Sequence, residues 1–215
     1  MLFDSGDSLR GSQTVYFPRE PIISEIDAAG YDAQAIGNRE FHYLFSCLKA
    51  RAGRMRHRLV CSNLVDTKGR PLPFERFLRL KEPSDGTRVH VAALLVMQYP
   101  CGSPWERVFG WRFLDPAPVV REFAQTIPRS DALVVLSHLG LRRDRELAAA
   151  VPRIDVILGG HSHDTLAEPE ICAGVPIVHA GPYGQYVSQT DLQYDLARDR
   201  WTLTAFSLVP LLAAA

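Results

Sequence analysis

Apolar residues recur along this chain at two spacings. Short, nearly unbroken apolar runs at residues 33–36, 58–61, 89–97, 132–136 and 154–158 predict strands, the later ones covered on both faces. Between them, residues 20–29, 39–50, 116–127 and 142–150 carry the three-to-four spacing of amphipathic helices. The first of these stops at Gly30. Asp115 followed by Pro116 marks a helix start, because the carboxylate accepts an orphan N–H and the proline has none to satisfy. Strand and helix in alternation predict a layered α/β domain.

The last third departs from this rhythm. Residues 175–178, 186–194 and 201–208 read as successive strands, which predicts mixed sheets closing the domain. Residues 66–88, rich in Pro, Lys and Arg, predict a hairpin or loop, and 99–111, with Pro100, Gly102 and Pro104, another irregular excursion. Neither marks a boundary, and no repeat or low-complexity segment occurs. A single domain over 1–215 is expected. The apolar Met1-Leu2-Phe3, ahead of Asp4-Ser5-Gly6-Asp7, reads as the end of a strand.

Composition narrows the function classes. The 24 basic and 24 acidic residues cancel, so no charge bias points to nucleic acid or a membrane surface. The basic run at 49–58 is the local exception and reads as a solvated helix end. No apolar stretch has the length of a bilayer span, and the N-terminus lacks the regions of a signal peptide. Cys47, Cys61, Cys101 and Cys172 show neither paired metal spacing nor a dense disulfide framework. A reduced, cytoplasmic setting is the expectation.

The polar residues that follow the strands carry the chemistry. Asp7 follows Leu2-Phe3, Asn38 follows Ala35-Ile36, and His138 follows the run at 133–136. His161 and His163 follow the run at 154–158 through Gly159-Gly160, two glycines that let the backbone turn sharply. Sites in open α/β sheets gather at the carboxyl ends of strands, so these five can meet. Taken singly, His138 reads as a core or surface histidine and Asn38 as a turn residue. Oxygen and imidazole nitrogen without thiolate suit Mn, Zn, Fe or Mg in a catalytic site better than a structural zinc. A carboxylate such as Asp7 can bridge two cations. Two cations about 3.5–4 Å apart would bind a phosphoryl group, activate a water and offset charge on the leaving oxygen.

Five blocks then resemble, in order, the motifs of calcineurin-like metallophosphoesterases. They are Gly6-Asp7-Ser8-Leu9-Arg10-Gly11, Gly37-Asn38-Arg39-Glu40, Ser62-Asn63-Leu64, Ser137-His138-Leu139-Gly140 and Gly159-Gly160-His161-Ser162-His163. The branch they are most similar to is the 5′-nucleotidase-like one, whose glycine-rich segment His179-Ala180-Gly181-Pro182-Tyr183-Gly184 also matches. The resemblance implies a metallophosphoesterase domain built as a four-layer αββα sandwich. It also implies two divalent metal ions, a small-molecule phosphate ester as substrate (a monoester, as in 5′-nucleotidases, or a diester), and a metal-bound hydroxide attacking phosphorus in line with the departing alkoxide. By position, Asp7 would bridge, Asn38, His138 and His161 would complete one metal site, and His163 would belong to the other.

Two departures accompany the match. The family's Asp-x-His block, on a strand upstream of Gly-Asp, is absent, which implies a missing N-terminal strand and leaves Asp7 and His163 alone at the second metal. The histidine that the family places after asparagine is Arg39 here, and the aspartate four residues after the asparagine is His42. Arg39 would neutralise phosphoryl charge with its fork of donors. His42, one helical turn from Asn38, would face the site as a general acid, or both would lie on a helix surface. The C-terminal domain that grips the nucleoside in 5′-nucleotidases has no counterpart, so nucleotide specificity is not implied. Phe3, Tyr99, Trp105 and Tyr183 would stack on a base or sit in the core. The alternative to an enzyme is a catalytically impaired, truncated phosphoesterase fold acting as a non-catalytic module.

Overall fold

The computed structural model describes residues 1–82 and 84–211. The elements run β1 (Phe3–Asp4), α1 (Ile22–Ala29), β2 (Ala33–Ala35), α2 (Phe45–Ala52), β3 (Leu59–Val60), β4 (Leu64–Asp66), β5 (Phe77–Lys81) and β6 (Arg88–Leu95). They continue α3 (Pro104–Phe109), β7 (Trp111–Phe113), α4 (Pro116–Gln125), β8 (Ala132–His138), α5 (Leu141–Ala150) and β9 (Val156–Gly159). The series ends with β10 (Glu170–Cys172), β11 (Val175–His179), β12 (Tyr186–Asp195) and β13 (Arg200–Pro210).

Two sheets form the centre. A small parallel sheet has the order β1-β2-β3, and a six-stranded mixed sheet has the order β10-β11-β9-β8-β6-β5. Alternation along the central strands explains how they stack. Val91 and Ala93 of β6 and Val134 and Leu136 of β8 meet Ala33, Ala35 and Val60 of the small sheet. Their neighbours Ala92, Leu94, Leu133 and Val135 turn the other way, onto Val120, Phe123, Leu141 and Leu147 of α4 and α5. Strands buried on both faces have no polar side to show, which is why 132–136 reads as an unbroken apolar run. On the far side of the small sheet, Ile36, Leu59 and Cys61 pack with Leu48 of α2. Helix, sheet, sheet and helix thus follow one another as the αββα arrangement expects.

Local chemistry accounts for most boundaries. The Asp115 carboxylate accepts from Ala117 N at 3.3 Å and caps α4, with Pro116 in its first turn. Gly30 closes α1 in the left-handed conformation. Residues 66–88 contain a true hairpin arm, β5 pairing antiparallel with β6. The stretch 99–111 is more regular than its prolines suggest: Ser103 caps the short α3, and β7 pairs with β4. The tail divides, with β10 and β11 joining the large sheet and β12–β13 forming a separate two-stranded ribbon. Among the described residues, no helix is long and apolar enough to cross a membrane.

One expected helix is shortened. Residues 39–44 are not helical, and α2 begins only at Phe45, with Leu44 in extended conformation. The donors of this stretch are diverted: Tyr43 N bonds Gln13 O at 3.0 Å, and Leu44 N bonds the His42 ring at 3.0 Å. Phe41 turns inward instead, with no exposed surface. Its ring meets Tyr43 at 5.4 Å, Phe113 at 5.4 Å and Trp111 at 6.1 Å, all edge-on. This aromatic packing anchors the segment that follows Asn38. Phe41→Ala is expected to cost about 3–5 kcal/mol in urea unfolding, and Phe41→Leu clearly less.

Candidate metal centre

The loops after β1, β2, β8 and β9 converge because the two sheets lie face to face with these four carboxyl ends together. His138 is the hub. Its Nε2 lies 3.3 Å from Asp7 Oδ2, 3.2 Å from Asn38 Oδ1 and 3.2 Å from His161 Nδ1. Ligand atoms of Asp7, His138 and His161 all fall within 4.8 Å of one another. On the opposite side of the ring, His138 Nδ1 lies 2.7 Å from the Ser5 carbonyl oxygen, an acceptor with no proton to give. Nδ1 therefore carries the hydrogen, and in the neutral ring the Nε2 lone pair points into the cluster.

The Asp7 carboxylate, the Asn38 amide oxygen and the neutral His138 Nε2 are thus acceptors facing one another, joined by His161 Nδ1 in one of its tautomers, an arrangement that suits a positive charge. The protonation behaviour agrees. Burial alone would lower the His138 pKa, but hydrogen bonding to the Asp7 carboxylate and its charge outweigh this and raise it. Burial alone would raise the Asp7 pKa, but His138 and then Arg39 outweigh it and hold the carboxyl below its usual range. Burial and the neighbouring His138 push His161 down, which favours the neutral ring that a cation needs. One carboxylate oxygen, one amide oxygen and two imidazoles fit a divalent cation of the Mn, Zn, Fe or Mg type.

The loops are held by buried charged groups. Glu40 has no exposed surface; its Oε2 accepts from Asp7 N at 2.7 Å and Gly37 N at 3.0 Å, and its Oε1 from Leu9 N at 3.0 Å. Burial, then the charges of Asp7 and Asp4, push its pKa up to about 7. Gly37 must be glycine here, since a Cβ would collide with the Asp7 carboxylate and lie 2.6 Å from Asp7 N. Asp7, His161 and His163 adopt left-handed backbone with φ of 70°, 74° and 61°. Each costs on the order of 1–3 kcal/mol, and such strain clusters at functional sites.

The basic run at 49–58 is a solvated helix end at Lys49, Arg54, Arg56 and Arg58, all exposed, and Arg51 is its exception. It is buried, because its guanidinium has four carbonyls to satisfy: Glu40 O at 3.1 Å, Phe41 O at 2.8 Å, Ser12 O at 3.1 Å and Val15 O at 2.5 Å. It ties the segment after Asn38 to the segment after Asp7. Neither Glu40 nor Arg51 stood out as a site residue in the sequence, although Glu40 lies within the Gly37-Asn38-Arg39-Glu40 block.

The structure brings together Asp7, Asn38, His138 and His161, and adds Arg39. Arg39 N donates to Asp7 Oδ1 at 2.7 Å, and its half-exposed guanidinium approaches Asp7 Oδ2 to 3.8 Å. His163 stands outside the cluster, exposed, with its ring 5.3 Å from that of Tyr183. The general-acid role for His42 is not supported. No helix carries it toward the site; it is buried, its Nδ1 accepts from Leu44 N, and burial and then Arg51 lower its pKa. Of the aromatics, Tyr99 is in the core, Phe3 packs between the sheets, and Trp105 and Tyr183 are exposed.

Comparison with known proteins finds phosphoesterases and nucleotidases among those similar to the chain. No family model matches the chain. It is 29% identical over 199 residues to an uncharacterized metallophosphoesterase of Bacillus subtilis, YunD, covering 91% of this chain and 42% of that protein. It is 23% identical to a 5′-nucleotidase of Vibrio cholerae, covering 89% and 40%. Among solved structures, a 5′-nucleotidase precursor from Thermus thermophilus superposes with a TM-score of 0.76 at 25% identity, covering 98% of this chain and 44% of that one. The calcineurin-like phosphoesterase YfkN of Bacillus subtilis superposes at 0.75 with 20% identity, covering 98% and 76%. The chain spans less than half the length of these two curated relatives.

Replacing Glu40 by glutamine tests the loop anchor. An amide keeps one acceptor and turns a donor toward Leu9 N or toward the Asp7 and Gly37 donors. Glu40→Gln is therefore expected to cost about 1–3 kcal/mol in denaturant unfolding and to weaken cation binding measured by calorimetry.

Proposed function

We propose that this chain, a relative of the calcineurin-like metallophosphoesterases and 5′-nucleotidases, hydrolyses a small-molecule phosphate ester with the help of divalent metal. The observation that carries the reading is the meeting of Asp7, Asn38, His138 and His161 around His138 Nε2, with the Arg39 guanidinium at the rim. Those four would hold one cation, and a second would draw on Asp7 and His163. A cation at such a site supplies Lewis-acid polarisation of a phosphoryl oxygen and acidifies water.

The chain's own residues do the rest. The Ser5 carbonyl fixes the His138 tautomer, and Glu40 fixes the Asp7 backbone. Arg39 replaces the imidazole that the resemblance expects after the asparagine. It cannot shuttle a proton at neutral pH, since a guanidinium stays charged, but its fork of donors suits the equatorial phosphoryl oxygens. Its work is charge stabilisation and orientation, and His42 serves the loop through Leu44. Phosphomonoesters, nucleotides among them, are the substrates favoured by what the relatives are named for.

A second reading, a metal-binding module without turnover, rests on His163 standing apart from the other ligands. Hydrolysis of p-nitrophenyl phosphate separates the two. Turnover is expected to rise with added Mn²⁺, to vanish with a chelator and to return when the cation is restored. His161→Ala is expected to lower kcat/KM at least ~100-fold, and Arg39→Ala ~10²-fold in kcat, with Arg39→Lys in between. Tight cation binding with no turnover of any phosphate ester would favour the second reading.

A further inference from the structure

Behind the His161 turn lies a buried, hydrogen-bonded Asp–His pair that the proposed chemistry does not use. Asp144, in the first turn of α5, and His179, the last residue of β11, are almost without exposed surface, and Asp144 Oδ2 lies 2.8 Å from His179 Nε2. The other Asp144 oxygen accepts from the buried Ser137 hydroxyl, next to His138. In the parallel pairing of β11 with β9, His179 sits opposite Gly159. A Cβ at Gly159 would overlap His179 Nε2 and lie 2.5 Å from Asp144 Oδ2. The pair therefore occupies the space that a side chain at 159 would take.

The same residue closes the other end of the turn. The His179 carbonyl accepts from Leu166 N at 2.9 Å, beside an isolated bridge between Thr165 and Ala180. Gly160 N donates to Ser137 O at 2.8 Å, and Leu141 N at the start of α5 donates to Ser162 Oγ at 3.0 Å. These ties, at both ends of the turn from Gly159 to Leu166, thus lead to Ser137, α5 or His179. A buried polar pair gains little net stability over apolar packing, because desolvation of its groups offsets their attraction. What it does supply is a fixed direction.

We propose that Asp144 and His179 are positioning residues that hold the turn carrying His161 and His163 in its left-handed conformation, and so set the distance from His161 Nδ1 to His138 Nε2. Neither touches the reacting groups. The consequence for cation affinity rests on the reading of His161 as a ligand; the conformational claim does not.

Hydrogen–deuterium exchange on the cation-free protein tests it. His179→Ala is expected to speed exchange of residues 159–166 ~10-fold or more while β6 and β8 keep wild-type protection, and His179→Gln, which keeps a donor, is expected to restore most of it. Co²⁺ affinity, read by absorption or calorimetry, is expected to fall ~10–100-fold in His179→Ala and Asp144→Ala. If Asp144→Ala does not fold, Ser137→Ala removes one hydroxyl from the network and is expected to shift both readouts the same way, by less. Unchanged exchange at 159–166 in folded His179→Ala overturns the proposal, as does exchange that rises equally across the whole large sheet. Absence of phosphate-ester turnover by the wild type counts against the proposed function alone, because exchange is read without substrate or cation.

Discussion

Three backbone N–H groups from two different loops converge on one buried carboxylate, and the candidate centre depends on it. Without Glu40, the donors of Asp7, Leu9 and Gly37 would face one another across a space from which water is excluded. With it, the loop after β1 and the loop after β2 become one unit. Arg51 extends the unit by gathering the carbonyls of Glu40, Phe41, Ser12 and Val15. An acid that collects donors and a base that collects acceptors thus complete what irregular backbone leaves unpaired. Loops of this kind can be buried only on that condition.

The sheets provide the larger frame. Their close packing leaves little freedom in where the strands end, so ligands far apart in sequence arrive within a few ångströms. Local strain is then spent where it places a ligand atom. Asp7 and His161 are both left-handed; Asp7 N is held by Glu40, and Gly160, just before His161, is held by Ser137. A cation or a proton placed among these acceptors relieves repulsion that the fold alone sustains. The cluster can therefore exist before any cation arrives, with the His138 pKa raised by the Asp7 carboxylate beside it.

Much of this was legible in the chain. The runs at 132–136 and 154–158 gave strands, and the polar residues just beyond them are where the cluster forms, because strand ends are the one place where an apolar layer must open. Residues 39–50 misled. Their spacing suits a helix, but Glu40 and Phe41 have partners in other segments that a periodicity cannot show, and those partners unwind the first turn. Arg51 misled for the same reason: a guanidinium in a basic run looks solvated until four carbonyls far away in sequence surround it. The excursion at 99–111 hid α3 and β7 because its prolines and glycine cap short elements rather than prevent them. His42 was placed by helical geometry that does not form.

The contact between Gly159 and His179 has a consequence for how such a protein can change over generations. The imidazole fills the volume that any larger residue at 159 would need, so the two positions do not offer independent steps. A mutation enlarging 159 first meets a clash, and one shrinking 179 first leaves a hole and an Asp144 oxygen without its partner. Each path passes through an intermediate worse than either end. Descendants of this sequence would keep both residues or exchange both together, and a paired substitution at 159 and 179 would be the historical trace of that barrier.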